Sequence, residues 1–208
     1  SDVCSSDLTG YILEYFGSGA EKLSCTGMAT ICNMGAELGA TTSIFPFQQK
    51  MKDYLERTDR QDIAKILTEN YNLWTKDTYA EYDEIIEINL DTIQPTINGP
   101  FSPDIHNVVG EEFKNTCRRN KWPLKMSSGL IGSCTNSSYE DLSNCASLVS
   151  QAVKHGLTFK MPFYITPGSE KIKKTMDRDG FTSIFEKAGG IVLANACGPC
   201  IEIGRAHV

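Results

Sequence analysis

Long apolar runs are missing from this sequence. None approaches the roughly 18–20 residues that a membrane-spanning helix requires, so neither a transmembrane helix nor a membrane partner is expected for this stretch. An excess of basic residues is missing too. With 20 Lys and Arg against 26 Asp and Glu, the formal net charge is -6. That balance gives no electrostatic case for a nucleic-acid partner. Cysteine is sparse for a disulfide scaffold: eight in 208 residues, irregularly spaced. Such usage suits a reducing compartment and one thiolate site. There is no internal repeat and no low-complexity tract. What remains is ordinary globular composition, 40% hydrophobic and 22% charged, with length for one large domain or two small ones.

The two ends do not read as protein. Ser1-Asp2-Val3-Cys4-Ser5-Ser6-Asp7-Leu8 can be encoded by a DNA segment whose reverse complement translates as Glu202-Ile203-Gly204-Arg205-Ala206-His207-Val208 and a stop. One synthetic adapter, read in opposite orientations, accounts for both. Residues 1–8 and 202–208 are therefore set aside as adapter-derived. Finding these codons in the source genome would refute that origin.

Between them the pattern is that of strands alternating with helices. Residues 9–16 predict a strand and 24–39 a helix rich in small residues. Met28, Ile31, Cys32, Gly35 and Leu38 fall on one face of that helix, with Asn33 and Glu37, four apart, on the other. Residues 50–55 and 59–70 predict amphipathic helices, the second capped by Asp59. Residues 71–81 predict loop and 84–90 a strand. The run 94–103 holds three prolines and is the best domain boundary. Beyond it, 129–133 predicts a strand. A helix capped by Ser137 or Ser138 follows, with a buried stripe of Leu142, Cys145, Val149 and Ala152 and a stop at Gly156. Strand 162–165, helices 169–179 and 181–188, and strand 190–194 complete the rhythm. The fold class is α/β: two α/β domains with mostly parallel sheets flanked by helices, divided as 9–95 and 96–201.

Two of these strands run into cysteine, through Ile131-Gly132-Ser133-Cys134 and Leu193-Ala194-Asn195-Ala196-Cys197. In parallel sheets, sites form beyond the carboxyl ends of strands. Cys134 also precedes a helix N-terminus, which favours a thiolate. Gly198-Pro199 turns the chain so that Cys197 and Cys200 project together. By spacing alone, that pair can hold a metal, hold a cluster or close a disulfide. If Cys134 joins them, three thiolates leave a fourth coordination position open, which suits a Lewis acid rather than a closed structural site. Cys25, Cys32, Cys117 and Cys145 read as ordinary small buried residues.

The motifs Ile131-Gly132-Ser133-Cys134-Thr135-Asn136-Ser137-Ser138-Tyr139-Glu140-Asp141 and Ala194-Asn195-Ala196-Cys197-Gly198-Pro199-Cys200-Ile201 resemble the cluster-binding motifs of the aconitase family, nearest the mitochondrial type. Ser24-Cys25-Thr26-Gly27-Met28, Asn33-Met34-Gly35-Ala36-Glu37, Ile97-Asn98-Gly99-Pro100-Phe101 and Ile165-Thr166-Pro167-Gly168-Ser169 resemble it as well. The resemblance implies a [4Fe–4S] cluster held by Cys134, Cys197 and Cys200, with one iron open to substrate or water. It implies reversible dehydration and rehydration of citrate to isocitrate through cis-aconitate, with Glu37 and Asn33 beside cluster and substrate. The implied partners are tri- and dicarboxylates, with no nucleic acid and no membrane. The whole enzyme would be a monomer of the mitochondrial matrix. The family's serine base, histidine–aspartate pairs and carboxylate-binding arginines have no match here. The chain is thus expected to be an internal piece of a longer enzyme, inactive alone. Three alternatives remain open: a related hydratase acting on isopropylmalate or homoaconitate, an RNA-binding iron sensor, and a thiol–disulfide oxidoreductase suggested by Cys197-Gly198-Pro199-Cys200.

Overall fold

The computed structural model describes residues 8–101, 105–132 and 135–195, and only the backbone of Glu37. Of the adapter-like ends, 1–8 and 202–208, all but Leu8 lie outside this set. Contacts divide the chain into Ser1–Trp122 and Pro123–Val208. The proline-rich run does not divide it. Instead that run contributes β3, Thr96–Asn98, which pairs antiparallel with β4, His106–Val108. Proline here punctuates a turn inside one unit.

In the first unit, β1, Ile12–Glu14, lies parallel to β2, Thr42–Ile44. Between them runs α1, Cys25–Gly35, opened by Ser24, whose hydroxyl accepts from the Gly27 N–H at 3.0 Å. Met28 and Gly35 are its buried residues. Gly35 packs so close to Ser43 that an added Cβ would overlap the Ser43 hydroxyl. The helix tightens into a 3₁₀ turn, Ala36–Leu38, and stops at Gly39 in the left-handed conformation.

Two helices follow, α2, Gln49–Arg57, and α3, Gln61–Glu69. Asp59 does not cap α3 as the sequence suggests. Its backbone is left-handed, with φ 60°, and Arg60 holds the N-cap position without a side-chain cap. Asp59 is spent on the turn between helices, a conformation aspartate tolerates better than most residues. The strand expected over 84–90 is also not formed; this stretch is irregular up to a 3₁₀ turn, Leu90–Thr92. Ile85, Ile86 and Ile88 are 62–71% exposed. Alternation marks a chain that could join a sheet, but a strand exists only where an edge pairs with it. After β4 comes α4, Glu111–Arg119, with Glu111 and Glu112 in its first turn and Arg118 and Arg119 in its last, which complements the helix dipole.

The second unit is a three-stranded parallel sheet in the order β5, β6, β7: Gly129–Gly132, Phe163–Thr166 and Gly190–Val192. A helix, α5, Tyr139–Lys154, joins the first two strands, and α6, Glu170–Arg178, with α7, Phe181–Lys187, joins the last two. Leu142, Ala146, Ile165, Met176 and Phe185 form the buried core, with Ile131, Phe163 and Val192 packed against it. Their burial is the main driving force for this unit. The expected stripe on α5 is present in part: Leu142 is fully buried, and Cys145 and Val149 pack against the core.

Both ends of α5 follow local rules. Ser138 and Asp141 form a reciprocal capping box. At the other end, the Gly156 N–H donates to Val153 O at 2.9 Å and the Leu157 N–H to Ala152 O at 3.0 Å, with Gly156 at φ 71°. That double bond pattern satisfies the last carbonyls and requires the left-handed residue glycine supplies. The α/β class with parallel strands flanked by helices is thus observed in this unit, and β1 and β2 with α1 repeat it in the first.

Candidate functional site

Parallel pairing brings three carboxyl ends side by side. Gly132 pairs with Thr166, and Ile165 with Val192. The Leu193 N–H donates to Ile165 O at 2.8 Å, extending the ladder past β7. The outer two strands are the ones that continue toward cysteine. Cys134 stands two positions after Gly132, and Cys197 five after Val192. Cys134, Cys197 and Cys200 themselves lie outside the described residues.

The descending turns at this edge are tightly fitted. Thr166 is 3% exposed and Ser137 2% exposed. The Gly168 N–H donates to the Ser137 carbonyl at 3.1 Å, and a Cβ on Gly168 would come within 2.9 Å of that oxygen. A Cβ on Gly132 would come within 2.8 Å of the Thr166 Cβ and carbonyl oxygen. Both flanks of the Cys134 segment, Gly132 and Ser137, are therefore fixed to the end of β6. The hydroxyl of Thr166 is buried and has no hydrogen-bond partner among the described residues. Sequence reasoning includes Thr166 in a motif but gives it no role, because a missing partner shows only in three dimensions.

Asn33 and Glu37 belong to the first unit. Asn33 is exposed in the last turn of α1. Glu37 lies in the 3₁₀ turn Ala36–Leu38. The interval between them therefore crosses from a 3.6-residue to a 3.0-residue turn and is not a simple four-residue helical step.

Of the four cysteines expected to be buried, Cys25, Cys32 and Cys145 are only half-buried. Cys117 is buried. Burial pushes up the thiols of Cys25, where Arg60 partly offsets it, of Cys32, and of Cys145, where Asp141 adds to it. Raised thiols stay protonated at neutral pH and are poor ligands and nucleophiles. Among the described residues no group of three or more His, Cys, Asp or Glu could hold a metal ion. No helix among them is long and apolar enough to cross a membrane.

The sequence of this chain is matched over residues 2–207 by the family model "Aconitase family (aconitate hydratase)". The chain belongs to the aconitase family. It is 57% identical over 193 residues to a protein of Dictyostelium discoideum named "Probable aconitate hydratase, mitochondrial", covering 93% of this chain and 25% of that one. It is 56% identical over 193 residues to the "Aconitate hydratase, mitochondrial" of Schizosaccharomyces pombe, covering 93% and 24%. It is 54% identical over 196 residues to the "Homocitrate dehydratase, mitochondrial" of Saccharomyces cerevisiae, covering 93% and 25%. The chain thus spans about a quarter of the length of the curated relatives it matches.

Proposed function

We propose that this chain is the cluster-bearing segment of a longer mitochondrial hydro-lyase that interconverts citrate and isocitrate. The observation that carries this reading is the side-by-side arrangement of three parallel strand ends, the outer two leading to Cys134 and Cys197. Cys134, Cys197 and Cys200 would supply three thiolates to a [4Fe–4S] cluster. The donor chemistry fits: soft thiolates suit iron–sulfur groups, and the buried Thr166 hydroxyl leaves a donor unused at the same edge. When bound, such a group with one iron free of protein ligands supplies a Lewis acid for loss of a substrate hydroxyl.

The chain's own part is to hold and orient. The Ser137–Gly168 contact and the Gly132–Thr166 pairing stiffen the frame around the Cys134 segment. Glu37 would accept a hydrogen bond from the substrate hydroxyl or from water, and Asn33 would contact the surroundings of the cluster. Substrates would be tri- and dicarboxylates, the whole enzyme a monomer, and neither nucleic acid nor membrane a partner. By itself the segment 9–201 would not turn over citrate.

The relative named homocitrate dehydratase, at 54% identity, favours a second reading in which a homologous tricarboxylate is the substrate. The test is the full-length protein, reconstituted anaerobically with iron and sulfide and assayed with citrate and homocitrate in parallel. Turnover of citrate with visible cluster absorbance is expected. A reconstituted protein that handles only homocitrate would select the second reading, and one that binds no iron would end both.

A further inference from the structure

Thr166 ends the middle strand of the sheet with a hydroxyl that is buried and unpaired among the described residues. Burying a hydroxyl without a partner costs free energy, and valine would fill the same volume without that cost. Strand alternation sends Ile165 into the core beneath α5–α7 and Thr166 to the opposite face. On β5 its paired neighbour is Gly132, which has no side chain to compete for that face. On the other side Leu193 continues β7. The hydroxyl therefore stands between the two strand ends that lead to Cys134 and Cys197. The other buried, unpaired hydroxyl among the described residues, Ser43, differs in setting: it lies in β2 against Gly35 of α1, away from the strand ends that lead to Cys134 and Cys197.

We propose that the Thr166 hydroxyl donates a hydrogen bond to a sulfur of the iron–sulfur group held at these strand ends. This rests on the reading that Cys134, Cys197 and Cys200 bind such a group. Thr166 would be a positioning and tuning residue that touches no substrate. A hydrogen bond to sulfur draws electron density from the group, favours its reduced form and shifts its iron–sulfur vibrations.

The test uses the full-length, cluster-loaded enzyme with Thr166→Val and Thr166→Ser. A redox titration followed by electron paramagnetic resonance should give Thr166→Val a lower midpoint potential than the wild type. Thr166→Ser, which keeps the hydroxyl, should match the wild type. Resonance Raman bands for iron–sulfur stretching should shift in Thr166→Val alone. The cluster-free Thr166→Val protein should unfold at the same denaturant concentration as cluster-free wild type, or a higher one. If Thr166→Val does not fold, Thr166→Ala replaces it. An unchanged potential and spectrum in a loaded hydroxyl-free variant would overturn the proposal and leave the cluster reading standing. Loss of stability in the cluster-free Thr166→Val protein would show that the hydroxyl serves the fold, and would overturn it too. A wild type that binds neither iron nor sulfide would overturn both.

Discussion

The Ser137 carbonyl accepts the Gly168 N–H at 3.1 Å, which ties the loop after β5 to the loop after β6. Those loops flank the edge where the sheet ends. The tie is a backbone bond, so a side chain can disturb it only by pushing the strands apart. Gly168 is where such a push would come from, since a Cβ there meets the Ser137 oxygen at 2.9 Å. Gly168→Ala is expected to destabilise the second unit by ~1–3 kcal/mol through overpacking against backbone. Gly132→Ala should act alike, its Cβ meeting the Thr166 carbonyl at 2.8 Å. Denaturant titrations of the full-length protein check both, and wild-type midpoints for the two variants would contradict the fit described here.

Gly156→Ala isolates a different cost. Nothing lies within 4 Å of an added Cβ there, but φ is 71°. The expected penalty, about 1–2 kcal/mol, is that of a left-handed backbone alone. Gly156→Asn should recover part of it, because asparagine visits that region more readily. Equal melting temperatures for the alanine and asparagine variants would count against this account.

Ser138→Ala removes the half of the capping box in which the Ser138 hydroxyl accepts the Asp141 N–H, and leaves the Ser138 N–H donating to the Asp141 carboxylate. A loss of about 1 kcal/mol is expected. Asp141→Asn keeps the Ser138 bond and should cost less. The ordering of the two unfolding midpoints is the measurement, and a reversed order would mean the aspartate charge matters more than the cap.

Asp179 gives the second unit an acid-sensitive contact. Arg178 donates two hydrogen bonds to its carboxylate, at 2.7 and 2.9 Å, and the Tyr139 hydroxyl a third at 2.7 Å. Arg178 first, then Tyr139, hold its pKa down to about 2. A depressed carboxylate stabilises the folded state above its unfolded pKa of about 3.9. That contribution is lost as pH falls from about 4 toward about 2. The pair is exposed to solvent, which keeps the effect small. Asp179→Asn should flatten stability against pH in that window and leave neutral-pH catalysis unchanged. A wild-type slope in the variant between those pH values would refute the assignment.

Single Cys→Ser changes separate the two classes of thiol. In the full-length protein, Cys134→Ser, Cys197→Ser or Cys200→Ser should each abolish the visible absorbance of a reconstituted cluster. Cys32→Ser and Cys145→Ser should keep it and alter stability alone. Full iron content after loss of any of the first three would break the proposed ligand set.

The sequence by itself determined what neighbours along the chain can settle. Ser138 with Asp141, and Gly156 after the Leu142 stripe, carry their own hydrogen-bonding logic within a few residues, so the ends of α5 are legible without the fold. The parallel α/β class was legible for the same reason, from period and punctuation, whereas Cys134, Cys197 and Cys200 were singled out as cluster ligands by family resemblance, since spacing alone left metal, cluster and disulfide open. Tertiary structure alone decided the rest. Residues 84–90 alternate correctly yet form no strand, because pairing needs a second edge. Asp59 could cap a helix but is taken by a left-handed turn instead. The division at Trp122–Pro123 depends on where β3 and β4 pair, not on where prolines cluster. Thr166 reads as one more β-branched residue until the sheet sets it between two strand ends with its hydroxyl unpaired among the described residues. Whether a polar atom is satisfied is a property of its surroundings, and a linear sequence does not list them.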